Sequence, residues 1–217
     1  MGQRLDSRAD WQATLTRLAK PAAKSEGRCE WADISPAMRD YHDHEWGVPS
    51  HDDRYLFEML ILEGAQAGLS WATILNRRDG YRHAFANFDP TKVAAFTDRR
   101  LEHLREDTEI IRNRLKIAAA RTNARAFLRV QAEFGSFATY LWNWVGGVPL
   151  VHHPRTLADL QATTELSDRV SKDLKARGFT FVGSTIVYSF LQAAGVVDDH
   201  VTGCPAKRRQ ASATRTR

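Results

Sequence analysis

The chain has two cysteines, Cys29 near its start and Cys204 near its end, and each has a histidine close by, His42 and His200. Two thiolates and two imidazoles make one tetrahedral Cys₂His₂ set, the kind that suits Zn²⁺. If Cys29, His42, His200 and Cys204 share one ion, the two ends of the domain must meet. Four protein ligands would fill the coordination sphere, so such a zinc is structural and has no open position for a catalytic water. His200 and Cys204 stand at i and i+4, one helical turn or a tight loop apart. The competing reading is two free cysteines and unrelated members of a set of eight histidines. The pairs are far apart in sequence and match no finger pattern, so spacing alone leaves both readings open.

A length of 217 residues suits one well-packed domain, and no apolar run approaches the length of a membrane span. Residues 2–24 are charged and lack an apolar signal-peptide core. Two cysteines exclude a disulfide framework, so a reducing cytoplasmic location is the expectation. The net charge of +5 suggests a nucleic-acid partner, but its distribution weakens that. Residues 1–28 carry six Lys/Arg against three acids, and the tail after Cys204 carries five with none. The stretch between them holds 20 basic and 23 acidic residues. The positive charge therefore sits at the ends, where a solvated tail competes with non-specific phosphate binding as its role.

Helical signals run through almost the whole chain. Residues 7–20 place Trp11, Leu15 and Leu18 at helical spacing, a short appended helix before a linker around Pro21–Gly27. Asp52–Ala67 reads as a helix with Gly68 as its stop, and Ser70 as the N-cap of a helix reaching about Phe85. Asp89-Pro90 and Thr97 open shorter helices. Ile110–Phe134 reads as one long helix burying Ile110, Ile117, Ala118, Phe127 and Val130. Ser136 opens the aromatic segment Phe137–Trp144, and Ser167–Arg177 and Ser184–Ala194 are two further helices. Val148–His152 is the best strand candidate, and a weak one. The class is all-α. The expected organisation is an N-terminal extension over residues 1–27, one domain over 28–205 and a basic tail over 206–217.

Three segments carry chemistry. In the helix Asp52–Ala67, Glu63 shares a face with Leu56, Met59 and Leu60, which places a carboxylate among apolar side chains. It is either a helix-end glutamate tied to an amide or arginine, or a group reserved for a ligand or for acid/base work. Gly68-Leu69-Ser70-Trp71 follows as a small-residue turn. Leu69 there could wedge into a base stack or staple the next helix, while Trp71 could stack on a base. Tyr41, beside His42, and Trp46 lie in an aromatic segment that a metal would hold in place. Finally, Gly178 to Gly183 form a glycine-bounded connection between helices. Gly178 suits a position of positive φ, and Gly183 and Ser184 lead into a helix N-terminus whose amides can meet a phosphate.

The segments Tyr41–Gly47, Leu62–Trp71, Ile110–Arg114, Gly178–Gly183 and His200–Cys204 together resemble the bacterial 3-methyladenine DNA glycosylase I family, over about Arg28 to Pro205. The resemblance implies a helix-hairpin-helix DNA glycosylase fold with its two ends joined by one structural zinc on Cys29, His42, His200 and Cys204. It implies a monofunctional base-excision enzyme that flips 3-methyladenine out of double-stranded alkylated DNA and hydrolyses it away, leaving an abasic site. A monomer is the default for such an enzyme. Glu63 would hydrogen-bond the methylated base as the catalytic carboxylate, with Tyr41, Trp71 and Trp46 around it. Gly68 and Leu69 would enter the gap in the duplex, and Gly178, Gly183 and Ser184 would hold the DNA backbone. Met38 departs from the aromatic residue found in relatives. Asp198 and Asp199 follow the hairpin helix, and the resemblance gives neither a catalytic role.

Overall fold

The computed structural model describes residues 27–207. The appended helix and linker expected before Gly27, and the tail beyond Lys207, lie outside the described residues.

Ten α-helices are described, with three short 3₁₀ turns between them or before them: α1 (Pro36–His44), α2 (Asp53–Gln66), α3 (Trp71–Leu75), α4 (Arg78–Ala84), α5 (Pro90–Ala94), α6 (Asp98–Leu104), α7 (Arg114–Phe134), α8 (Phe137–Asn143), α9 (Glu165–Ala176) and α10 (Ser184–Ala193). Most begin where a capping side chain predicts. The side chains of Ser35, Asp52, Ser70, Asp89, Thr97, Asn113, Ser136 and Thr164 each accept a backbone N–H in the first turn. Two boundaries differ from the sequence expectation. The helix expected from Ser70 to Phe85 is two helices, because Arg77 leaves helical geometry at φ −110°, ψ 5°. The long helix starts at Arg114 rather than Ile110, because Asn113 caps it with bonds to Leu115 N and Lys116 N. The one weak strand signal holds in part: Leu150–Val151 pairs in parallel with Val197–Asp198.

Helix α2 is the centre of the domain. Every residue from Leu56 to Ala65 is buried, so it is covered on all sides rather than on one stripe. Helices α7, α8 and α10 pack against it, and α9 packs against α10. Phe57, Phe127, Phe137 and Phe190 fill the space between them, with the rings of Phe127 and Phe137 stacked at 4.2 Å. A glutamate on such a helix is buried whichever way it points.

Polar groups fix the helices around this core. Arg78 donates to Glu58 and Glu45, each at 2.7 Å, and Arg82 also donates to Glu58, which joins the end of α1 to α2 and α4. Asp53 accepts from Gln131 Nε2 and from the backbone N–H groups of Phe137 and Ala138, tying α2 to the start of α8. Asp53→Ala would strand two amides at a helix N-terminus, and we expect it to cost about 2–4 kcal/mol in urea unfolding. A loss below about 0.5 kcal/mol would mean that water replaces the carboxylate there.

Candidate active site and metal centre

A cavity of about 440 Å³ opens where α1, α2, α3 and α10 converge. Its lining includes Glu63 and the aromatic rings of Trp31, Tyr41, Trp46 and Trp71. Glu63 reaches it from the last turn of the buried helix, and burial pushes its carboxyl up to about 8. Among the described residues it has no hydrogen-bond or ion-pair partner. The alternative of a helix-end glutamate tied to an arginine or amide is therefore not the arrangement seen. Tyr41 and Trp71 pack with ring centroids 5.2 Å apart. Tyr41 Oη and Trp71 Nε1 are both buried without a partner. Burial and the neighbouring Glu63 raise the Tyr41 phenol well above its ordinary range, so it stays a donor. Unpartnered buried polar atoms are rare in native proteins, and two on one cavity, beside a carboxyl with no partner, mark a place prepared for a polar guest.

Behind this cavity the two ends of the domain meet. The ligand atoms of Cys29, His42 and Cys204 lie within 4.8 Å of one another, all three residues being buried. Cys204 Sγ is 3.5 Å from His42 Nε2, and hydrogen bonds from Cys29 and His42 pull its thiol well below the usual range. Cys29 is pushed up by the same contact and by its burial. The fourth residue expected here, His200, stands outside that group of three. Its Nε2 is nevertheless buried and unpartnered, and its ring lies 5.0 Å from that of His42. Asp43 Oδ1 holds His42 Nδ1 at 2.8 Å, and Asp198 Oδ1 holds His200 Nδ1 at 2.8 Å. Each carboxylate fixes an imidazole so that Nε2 is left for a metal. The group can hold a metal ion.

The Gly68 turn follows the C-terminal end of α2, and the connection from Gly178 to Gly183 meets the same helix at Gly64. Gly68 adopts φ +80°, a conformation glycine accepts freely, and Leu69 beside it is 40% exposed, in contrast to the buried helix before it. Lys116 Nζ donates to the carbonyls of Ala65 and Ala67, which satisfies the end of α2 and anchors the turn. Gly178 follows the C-cap of α9 at φ +92°. Asn123 of α7 accepts from Thr180 N and donates to Thr180 O, clamping the connection to the domain. Phe181 approaches Gly64, the neighbour of Glu63, closely enough that a Cβ there would stand 3.3 Å from it. Gly183 begins α10 with no capping side chain, and Ser184 Oγ is bonded to Ser167 Oγ.

A family model described as methyladenine glycosylase matches residues 31–208. The chain belongs to that family. It is 50% identical over 177 residues to DNA-3-methyladenine glycosylase 1 of Escherichia coli (strain K12), covering 82% of this chain and 95% of the relative. A crystal structure of 3-methyladenine DNA glycosylase I superposes with a TM-score of 0.80 at 49% identity, over 82% of this chain and 98% of the other. A second, a tyrosine-to-phenylalanine variant of 3-methyladenine DNA glycosylase I in complex with 3-methyladenine, gives 0.81 at 38% identity, over 83% and 97%.

In this methyladenine glycosylase Glu63, Tyr41, Trp46 and Trp71 line one cavity, and Met38 is one of its walls. Sequence reasoning missed Trp31 and Gln192. Trp31 packs edge-on to Trp46 at 5.0 Å and to His42 at 5.1 Å, and its only sequence signal is its place two residues after Cys29. Among the described residues no helix is long and apolar enough to cross a membrane.

Proposed function

We propose that this enzyme is a monofunctional base-excision glycosylase that flips 3-methyladenine out of double-stranded alkylated DNA and removes it by hydrolysis, leaving an abasic site. The observation that carries the reading is the buried, unpartnered Glu63 in an aromatic cavity beside two unpartnered donors. The complex of a relative with 3-methyladenine supports the choice of base.

Methylation at N3 leaves adenine cationic in DNA and turns it into a good leaving group. The bond breaks toward an oxocarbenium-like sugar, and the enzyme has no need to protonate the base. Extrusion costs a few kcal/mol, which the pocket must offset. Glu63 meets the cation, while Tyr41, Trp46 and Trp71 supply stacking and cation–π attraction. The cationic base also reverses the effect of burial, so its arrival favours the ionised Glu63. Leu69, on the Gly68 turn, fills the gap left in the duplex. The free amides at Gly183 and Ser184, with the turn at Gly178, take the DNA backbone in a helix-hairpin-helix arrangement formed by α9 and α10.

Cys29, His42, His200 and Cys204 hold one structural zinc. The ion fastens residues near both ends of domain 28–205 behind Tyr41 and Trp46, and supplies no chemistry to the reaction. Residues 1–27 and 206–217 are appendages to that domain, which works as a cytoplasmic monomer.

The test is chromatographic detection of free base released from DNA treated with a methylating agent. Release of 3-methyladenine is the expected result. A folded, metal-loaded protein that binds abasic DNA yet releases nothing would make the chain a damage-binding module instead. Leu69→Gly should slow excision from duplex DNA at least tenfold and leave affinity for free 3-methyladenine unchanged. Equal duplex rates would remove Leu69 from the wedge role.

A further inference from the structure

Asp199 is fully buried beside the cavity. It accepts hydrogen bonds from Tyr188 Oη at 2.5 Å and Gln192 Nε2 at 2.6 Å, and lies 2.7 Å from His152 Nδ1. A carboxylate that only accepts decides the orientation of an amide that meets it: Gln192 must turn its NH₂ to Asp199. The Gln192 side chain lines the cavity, and its carbonyl oxygen takes no hydrogen bond from any described residue. With its NH₂ engaged by Asp199 and close to the Tyr188 hydroxyl, the acceptor that Gln192 keeps for a guest is its side-chain oxygen.

The other polar groups named at the cavity are not fixed acceptors. Glu63 can present either an ionised or a protonated oxygen, and the Tyr41 hydroxyl can donate or accept. Trp71 Nε1 only donates. An adenine carries an amino group at position 6, where guanine carries a carbonyl. An immobilised acceptor favours the first and leaves two oxygens facing each other in the second. A site built to hydrogen-bond one edge rejects the other strongly, because its buried polar group is then left unpaired.

Resting on the glycosylase reading of this cavity, we propose that Gln192 is a specificity-determining residue. Its carbonyl oxygen accepts the exocyclic N–H of the methylated adenine, and Asp199 is the positioning residue that keeps the amide turned that way.

The experiment measures release of 3-methyladenine and 3-methylguanine from the same methylated DNA by wild type, Gln192→Met and Asp199→Asn. Gln192→Met should lower kcat/KM for 3-methyladenine about tenfold or more and leave 3-methylguanine release nearly unchanged, so the ratio falls. Asp199→Asn can donate to the Gln192 carbonyl and let its NH₂ face the cavity, which should lower the ratio further. A folded Gln192→Met with the wild-type ratio overturns the proposal while the glycosylase reading stands. Release of neither base by wild type sinks that reading and the proposal with it. Wild-type protein alone gives a second readout: free 3-methyladenine should move the Gln192 side-chain NH₂ resonances in an NMR titration. Resonances that stay fixed as the cavity fills would also overturn the assignment.

Discussion

Glu63→Gln should lose at least a hundredfold in kcat/KM for 3-methyladenine release and yet be the more stable protein at alkaline pH. The two effects share one cause. Burial holds the Glu63 carboxyl near 8 against an ordinary 4.5. In the unfolded chain the group gives up its proton around pH 4.5, whereas in the folded protein it keeps it until about pH 8. Between these values the folded state binds the extra proton, so stability falls as pH rises through that window and levels off above it. At about 1.36 kcal/mol per unit, the loss is at most about 4–5 kcal/mol. Glutamine does not titrate and is nearly the same shape. The variant should therefore match wild type in denaturant near pH 4.5 and exceed it by a few kcal/mol at pH 8.5. Its amide can still hydrogen-bond the base but cannot meet a cation with a negative charge, which is the interaction removed from catalysis. In wild type, kcat/KM reports the free enzyme and should climb with pH until about 8. Equal stability of the two proteins at both pH values would show that Glu63 is not the isolated buried carboxyl described here. Wild-type excision by the variant would end its proposed role.

What the sequence makes legible follows from how local each cause is. Ser136 before Phe137 and Asn113 before Arg114 act on amides two or three residues away, so cap residues mark most helix starts. The break at Arg77 is not local. Arg78 turns inward to Glu58 and Glu45, residues 20 and 33 positions away, and no pattern within 70–85 announces it. Glu63 is visible because its apolar neighbours recur at helical spacing, although the helix is buried all round rather than on one face. The aspartates that orient His42 and His200 were within reach: Asp43 adjoins one histidine and Asp198 precedes the other by two. Gln192 and Asp199 were not, because their meaning lies in a contact between the end of α10 and the chain just after the strand Val197–Asp198. Cavity walls drawn from four separate helices have no sequence period at all.

Cys204→Ser is the companion test at the other end of the site, and its expected effect is on the fold first. Wild type should carry one zinc per chain by elemental analysis, and the variant close to none. Without a cation, His200 Nε2 is buried with no partner and His42 Nε2 has only the Cys204 thiol, both in an apolar setting. Structural zinc contributes folding free energy directly, and its loss from a domain whose remaining core is intact should cost several kcal/mol, about 10 °C or more in Tm. Excision should fall as a consequence of position. Trp46 packs on His200 at 4.6 Å and stacks on His42 at 6.1 Å, while Trp31 leans on His42. Two walls of the cavity thus rest on the imidazoles, and Tyr41 precedes one of them in the chain. The activity lost should therefore appear mainly as a weaker grip on the base, a higher Kd for free 3-methyladenine, with the pH profile set by Glu63 retained. Chelation of the wild-type protein should reproduce both changes, and returning zinc should reverse them. A zinc-free protein with an unchanged Tm would show that the hydrogen bonds of Asp43 and Asp198, together with the packing of the two ends, hold this corner without an ion.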